Sequence, residues 1–362
     1  MFYLLVCFVG VCVFFDGLAC FKIRKEQSKK IYEQPLVSIL IAIRNEEDNI
    51  LHCLQSLNQL SYPRLEILIG DDNSTDNSLN IVHKFIKDKP HFTVFQIKNQ
   101  IGNAIAKANV LAQLAHQAKG KWLFITDADV QVPPNWIEDM LSSAEEASIV
   151  TGFTWVEGKG LFAILQALDW TFALAVAKTF SYWNVPITAM GNNMAVRKEA
   201  YWQTGGYENL APTLVEDFIL FKNLTMERKH RFRQIFASSV MAKTQAIRSI
   251  KDFFWQRKRW TQGASKAHWL AKLYLFFKIG FYPVFLLSLF LIPQNYYSEI
   301  AFLYMLKLFW QSIALYRFLY LLGKRQFIWA FGLYELYLAV LSCTLPVYSL
   351  LILENRWKGR IF

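Results

Sequence analysis

Residues Leu36-Val37-Ser38-Ile39-Leu40-Ile41-Ala42-Ile43 form an apolar, β-rich run that does not alternate. An alternating strand has one wet face. An unbroken run marks a strand covered on both faces, which is the habit of parallel sheets. A polar loop follows, Arg44-Asn45-Glu46-Glu47-Asp48-Asn49, and then a helical pattern through Leu51, Leu54 and Leu57. The same order recurs. Leu65 to Ile69 leads into Gly70-Asp71-Asp72-Asn73-Ser74-Thr75-Asp76-Asn77-Ser78 and a helix with Leu79, Val82, Phe85 and Ile86 on one face. Val94 to Ile97 precedes a helix over 104–118 that carries Lys107, and Trp122 to Thr126 ends in Asp127 and Asp129. Strands alternating with helices predict an α/β fold with a mostly parallel sheet covered on both faces.

In such a sheet the ligand site lies beyond the carboxyl ends of the strands. Three strand ends carry clustered polar residues: Asn45 with Glu46, Asp71 with Asp72, and Asp127 with Asp129. One such loop would be ordinary turn and cap chemistry. Three on one sheet edge predict a site. Asp127-Ala128-Asp129 places two carboxylates where they can leave the sheet and reach a hard divalent cation, Mg²⁺ or Mn²⁺, which shares phosphate oxygens with a nucleotide. No G-x-G-x-x-G follows the first strand and no G-x-x-x-x-G-K-[ST] occurs, so dinucleotide and P-loop readings lose support.

Further on, Val132-Pro133-Pro134-Asn135-Trp136 turns into another helix. Residues 161–180 are apolar but hold Gln166, Asp169 and Lys178, which favours a packed or interfacial helix over a membrane span. Met190-Gly191-Asn192-Asn193-Met194 fits tight backbone at a ligand wall or an ordinary turn. Glu216-Asp217 opens an apolar helix, where an acidic pair answers the helix dipole or supplies a general base. In Phe253-Phe254-Trp255-Gln256-Arg257-Lys258-Arg259-Trp260, Gln256 and Arg259 share a helix face. They can hold a diphosphate while the aromatics sit on lipid.

The two ends of the chain are of another kind. Hydrophobic residues make up 54% of the sequence and Phe alone numbers 30, and the excess sits at the ends. Met1 to Phe21 carries one charge, Asp16, and is long enough to cross a bilayer. No Lys or Arg precedes it, which argues against a cleaved signal peptide. Lys22, Arg24, Lys25, Lys29 and Lys30 follow it, so the expectation is a signal anchor with the chain after residue 22 in the cytoplasm. From Leu273 onward three apolar stretches follow, of which Ile300 to Leu322 is the best span. The positive-inside rule and the basic tail Arg356, Lys358, Arg360 favour two crossings plus one interfacial or re-entrant segment. The net charge of +11 crowds beside these stretches, which points to anionic lipid headgroups and away from nucleic acid. Five cysteines without a C-x-x-C pair suggest neither a disulfide framework nor a zinc site.

Taken in order, these residues resemble a membrane-bound family 2 glycosyltransferase with the GT-A fold. The resemblance rests on Arg44-Asn45-Glu46-Glu47, Asp71-Asp72-Asn73-Ser74-Thr75-Asp76, Asp127-Ala128-Asp129, Glu216-Asp217 and Gln256-x-x-Arg259-Trp260, and covers residues 35–263. The trailing Trp357-Lys358-Gly359-Arg360 is similar to the end of many membrane members. The resemblance implies that Asp72 hydrogen-bonds the nucleotide base, uracil, and that Asn45 and Glu46 join the donor site, Glu46 near base and ribose. It implies that Asp127 and Asp129 contact the sugar nucleotide and its divalent cation, and that Asp217 deprotonates the acceptor hydroxyl. Gln256, Arg259 and Trp260 would cover the diphosphate and border the acceptor. Many members have Pro where Ala42 stands, Gly-Lys where Ala106-Lys107 stands, and, among processive synthases, Thr where Val215 stands.

The expected organisation is therefore a transmembrane anchor over 1–21, a cytoplasmic GT-A domain over 22–271 and a membrane region over 272–362 with two or three helices. The expected activity is inverting, metal-dependent transfer of a sugar from a nucleotide-sugar donor, of UDP type, to a lipid or glycan at the cytoplasmic face of the cell (inner) membrane. A processive polysaccharide synthase subunit and a non-catalytic nucleotide-sugar-binding partner are the alternatives.

Overall fold

The structure is a computed structural model that describes residues 1–26, 33–351, 356, 357, 360 and 361. Lys29 and Lys30 of the basic flank, and Lys358 and Gly359 of the tail, lie outside the described residues. In chain order the elements are α1 (Phe2–Lys22), β1 (Val37–Ile43), α2 (Ile50–Asn58), β2 (Leu65–Asp71), α3 (Ser78–Ile86), β3 (Phe92–Gln96), α4 (Ala106–Gln117), β4 (Trp122–Asp127), β5 (Val130–Gln131), α5 (Trp136–Ser142), β6 (Ile149–Thr151), β7 (Thr154–Glu157) and α6 (Leu161–Ser181). They continue with β8 (Met194–Arg197), α7 (Lys198–Gln203), α8 (Glu216–Lys222), β9 (Phe232–Gln234), β10 (Ala242–Gln245), α9 (Ile250–Ser265), α10 (Trp269–Leu291), α11 (Tyr297–Leu321) and α12 (Phe331–Leu351).

The unbroken apolar run becomes β1, and its two covered faces are visible. Val37, Ile39, Ile41 and Ile43 join one buried cluster with Leu54 and Leu57 of α2. Leu40 joins the opposite cluster with Leu111 and Leu114 of α4. The main sheet runs in the order β3-β2-β1-β4-β8-β6-β9. β1 pairs in parallel with β2 and with β4, and β2 pairs in parallel with β3. β8 then enters antiparallel to β4. Because the first four strands point one way, the loops after β1, β2 and β4 open on one edge, as their sequence order predicts.

The far side of the sheet is tied by one side chain. Asn193, fully buried, donates to the carbonyls of Phe153 (2.8 Å) and Val240 (2.9 Å), and its Oδ1 accepts from the Trp136 indole at 2.9 Å. A buried amide satisfied on three sides fixes three chain segments at once.

A separate apolar core joins α1, α6, α10, α11 and α12, with Leu5, Phe172, Phe281, Phe318 and Tyr334 among its buried members. Among the described residues four helical stretches are long and apolar enough to cross a membrane: Phe2–Lys22, Leu161–Ser181, Trp269–Leu291 and Arg325–Leu351. The stretch in α6 is 67% buried inside the protein, against 22% for the one in α10, in line with a packed helix. Helix α11, the sequence's best carboxyl-terminal span, is not among the four. It has the length, but it carries Glu299, Lys307 and Arg317 and turns Lys307 and Gln311 into the bundle interior.

Candidate active site

The loops after β1 and β2 are laced together by short polar side chains. Asn45 takes a left-handed backbone (φ 52°), its Oδ1 accepts from the Thr75 N–H at 2.8 Å, and its own N–H donates to Ser74 Oγ at 3.1 Å. The Glu46 N–H donates to Ser78 Oγ at 2.7 Å, and Glu47 exchanges hydrogen bonds with Asp76 and Asn77. Asp71 accepts from the Ser74 N–H and so shapes the turn. Asp72, beside it, lies 3.8 Å from Arg44 and lines the cleft. The sequence offers Asn45 as a donor-site residue. Its side chain holds the loop through the Thr75 N–H and is not among the cleft-lining residues, and Asn is one of the few residues that tolerate the positive φ found here.

The loop after β4 presents Asp127 and Asp129, both half-buried, on either side of buried Ala128. Asp129 Oδ2 accepts from Thr244 Oγ1 of β10 at 3.2 Å. Lys107 reaches the same place from the first turn of α4. Its Nζ lies 2.5 Å from Asp127 and 3.0 Å from Glu216. Burial would lower the Lys107 pKa, but Asp127, Glu216 and Asp217 outweigh it and raise the value, so the charge is held. The preceding residue, Ala106, sits at φ 48°, a conformation that glycine adopts without cost. The sequence shows Ala where the resembled family often has Gly. The structure keeps the glycine-like backbone and presents Lys107 to the site all the same.

Glu216 and Asp217 divide their partners. Glu216 faces Lys107, whereas Asp217 Oδ2 accepts the N–H of Gly191 at 2.8 Å and its Oδ1 the N–H of Phe218 at 2.7 Å. Gly191 is required by this approach, since a Cβ there would stand 2.5 Å from the Asp217 Cβ and 2.8 Å from Oδ2. Burial, seconded by Glu216, raises the Asp217 carboxyl to about 6, against the pull of Lys107 and the two N–H donors. A carboxylate near that value is basic enough to take a proton at neutral pH and is still ionised there. In the sequence the turn at Gly191 fits a ligand wall and an ordinary turn alike. Thr244 carries no signal that would single it out.

Helix α9 closes the cleft. Gln256, Arg259 and Trp260 all line it, together with Asp72, Asp127, Asp129, Lys107 and Asp217. Trp260 meets Trp170 of α6 edge-on at 5.1 Å, and the Arg257 guanidinium lies over Trp260 at 4.4 Å and 2.6 Å from Asp169. The cleft measures about 1640 Å³ and continues among Tyr274, Lys278 and Tyr282 of α10 and Tyr334, Leu338 and Ser342 of α12. The sequence-predicted residues thus come to one cleft, Asn45 excepted.

Known proteins similar to this chain are numerous. The chain is 26% identical over 239 residues to a β-monoglucosyldiacylglycerol synthase of Nostoc, a match covering 63% of this chain and 49% of that protein. It is 33% identical over 119 residues, 33% of each chain, to the putative glycosyltransferase EpsH of Bacillus subtilis. It is 22% identical over 253 residues to the poly-β-1,6-N-acetyl-D-glucosamine synthase of Staphylococcus aureus, covering 67% of this chain and 58% of that one. The matches to EpsH and the Nostoc synthase span a third to about half the length of those proteins. In fold, the chain is similar to the mannosyltransferase PcManGT of Pyrobaculum calidifontis, solved with GDP-Man and Mn²⁺, at a TM-score of 0.61 and 15% identity, covering 91% of this chain and 96% of that one. The sequence model of glycosyl transferase family 21 matches residues 2–362. The resemblance read from the motifs holds at the level of a membrane-associated GT-A glycosyltransferase of family 2 type, and the chain belongs to glycosyl transferase family 21.

Proposed function

We propose that the chain transfers a sugar from a nucleoside diphosphate donor, of UDP type, to the hydroxyl of a lipid acceptor in a single displacement with inversion, at the cytoplasmic face of the cell membrane. The observation that carries this reading is the one cleft. On the sheet side it is lined by Asp72, Asp127 and Asp129, and on the membrane-helix side by residues of α10 and α12, with Asp217 lining it too. A lipid acceptor is favoured over a growing polymer by the Nostoc relative, whose name places diacylglycerol in its product.

The residues fit a divalent cation that comes with its donor. Among the described residues no three His, Cys, Asp or Glu cluster to hold a metal alone. Two half-buried carboxylates at one strand end suit a hard divalent cation such as Mg²⁺ or Mn²⁺. Bound there, such a cation supplies charge for the departing diphosphate. Asp127 and Asp129 would hold it, and Thr244 orients Asp129. Asp72 takes the base, with Glu46 beside it, and Gln256, Arg259 and Trp260 form the wall over the diphosphate. Asp217, fixed by two backbone N–H groups, takes the acceptor proton. One base opposite one leaving group needs no covalent intermediate.

The test is release of free nucleoside diphosphate from a panel of sugar nucleotides by membranes carrying wild type or Asp129→Ala, with and without Mn²⁺. Release from one donor, lost in the variant and without metal, is expected. Silence across the panel with native lipids supplied would sink the reading and favour a non-catalytic partner subunit.

A further inference from the structure

Lys278 and Lys307 both lie within long apolar helices, and their surroundings differ. Lys307 of α11 is answered on every side. Its Nζ donates to Glu335 at 2.6 Å and to Tyr282 Oη at 2.7 Å, and Gln311 secures the other carboxylate oxygen of Glu335 at 2.5 Å. Lys278 of α10 has no such shell. Its counter-charge, Asp16 of α1, is fully buried and stands 3.9 Å away, beyond hydrogen-bond reach. Neither Asp16 carboxylate oxygen, nor the Lys278 ammonium, has a hydrogen-bond partner among the described residues. Lys278 also lies over the Phe172 ring at 4.3 Å. A charged group inside apolar surroundings is costly unless something completes its hydrogen bonds, and such groups mark binding paths.

Position separates the two as well. Lys307 does not line the cleft, whereas Lys278 does, between Tyr274 and Tyr282 on its own helix and opposite Tyr334 and Ser342 of α12. Ile279, Leu338, Leu341 and Leu345 line the same part of the cleft with hydrocarbon. The Lys278 ammonium with the hydroxyls of Tyr274, Tyr334 and Ser342, the Tyr282 hydroxyl being taken by Glu335, lies beside an apolar slot and matches one chemistry. It suits a molecule with oxygen acceptors at one end and hydrocarbon chains at the other.

We propose that Lys278 is the polar anchor of the acceptor lipid: its ammonium takes an oxygen at the lipid's polar–apolar junction, and the chain lies between α10 and α12. That oxygen is a carbonyl, as in a diacylglycerol, or a phosphate, as in a polyprenyl phosphate. Asp16 holds the ammonium in place as its distant counter-ion. Lys278 is thus a binding residue for the acceptor, separate from the carboxylates that hold the donor. The turnover arm of the test rests on the glycosyl-transfer reading above, and the binding arm does not.

The binding arm uses full-length protein in phosphatidylcholine vesicles with a diazirine-bearing diacylglycerol. Labelling of peptides from α10 and α12 is expected, weakened in Lys278→Met and retained in Lys278→Arg. Competition by unlabelled dioctanoylglycerol assigns the carbonyl, and competition by a polyprenyl phosphate assigns the phosphate. Labelling equal in wild type and Lys278→Met, or untouched by either competitor, overturns the proposal and leaves Asp16–Lys278 a structural pair. In the turnover arm, losing a hydrogen bond to a charged group predicts that Lys278→Met raises the lipid KM roughly 10- to 100-fold while the sugar-nucleotide KM stays. A donor KM that rises in step overturns it. Absence of turnover with every donor defeats the function proposed above, and the labelling result still decides this one.

Discussion

The sheet edge and the helix bundle both bring charged residues together, but by different means. At the sheet edge the chain's own direction does the work. Strands β1, β2 and β4 run parallel, so whatever follows each of them arrives at one place, and Asp72, Asp127 and Asp129 line one cleft. In the bundle each charge finds its partner on another helix: Asp169 of α6 with Arg257 of α9, Lys307 of α11 with Glu335 of α12, Asp16 of α1 opposite Lys278 of α10. The first arrangement follows from element order. The second follows from packing. The sheet edge should therefore respond to mutation mainly through activity, and the bundle mainly through stability.

The largest effect expected at the sheet edge is that of Asp217→Asn. It keeps shape and loses the proposed proton acceptor, so on that proposal transfer should fall roughly 10²- to 10⁴-fold with the donor KM little changed. Steady-state rates on membranes measure this. The pH profile sharpens it. Asp217 is held at about 6 by burial and by Glu216, and only its ionised form is a base. Activity should rise with pH through about 6, and the ionised share grows about tenfold between pH 5 and pH 7. A profile flat across that range would remove Asp217 from the role of base.

In the bundle the matching prediction is Lys307→Met. It strands the Glu335 carboxylate among apolar helices, 2.6 Å from where its partner stood. Breaking a buried pair on one side costs about 3–5 kcal/mol, and replacing both partners by apolar residues restores much of it. Thermal unfolding in detergent should show Lys307→Met well below wild type and Lys307→Met with Glu335→Leu near it. A single variant as stable as the double would mean that the pair holds nothing together.

Between these lies Gly191→Ala. The added methyl would stand 2.5 Å from the Asp217 Cβ, so that carboxylate must move. A displacement of that order costs about 10²-fold in rate. Unchanged turnover would show that the carboxylate is not held to a working position by this contact.

The same contrast explains what the sequence reveals. The apolar run 36–43 and the three strands that follow it between helices announce a parallel sheet, and the order of the polar loops announces one edge. The cleft therefore holds all the predicted residues but one. Asn45 stands apart in the fold, at φ 52° with its side chain on the Thr75 N–H, and a loop-shaping residue and a ligand-binding one look alike in one dimension. Thr244 is set by a strand far along the chain from Asp129, so no local pattern names it, and the turn at Gly191 reads equally as a ligand wall or an ordinary turn until Asp217 is brought against it. In the bundle the charges of Asp16, Lys278, Lys307 and Glu335 stand out in apolar stretches, yet nothing local says which pairs with which. Helix α11 shows the cost. Read alone it is the best span, but its polar residues belong to partners on α12 and α10.

The smallest predicted effect lies where sequence and structure meet most closely. Ala106 stands at φ 48°, where a Cβ crowds the following carbonyl and costs about 1–2 kcal/mol. Glycine there removes the clash but adds roughly 0.5–1 kcal/mol of unfolded-state entropy. The two terms nearly offset, and Ala106→Gly should gain about 0.5 kcal/mol, read as a small rise in unfolding temperature. Its value lies in the neighbour. Lys107 follows Ala106 directly and reaches Asp127 and Glu216 from the first turn of α4. If the left-handed turn is what aims Lys107, relaxing it leaves the activity and its acid limb in place. If the turn is instead strained into position by the ion pairs, glycine frees it, Lys107 withdraws, and the acid limb moves to higher pH, because Lys107 is a charge that holds Asp217 down.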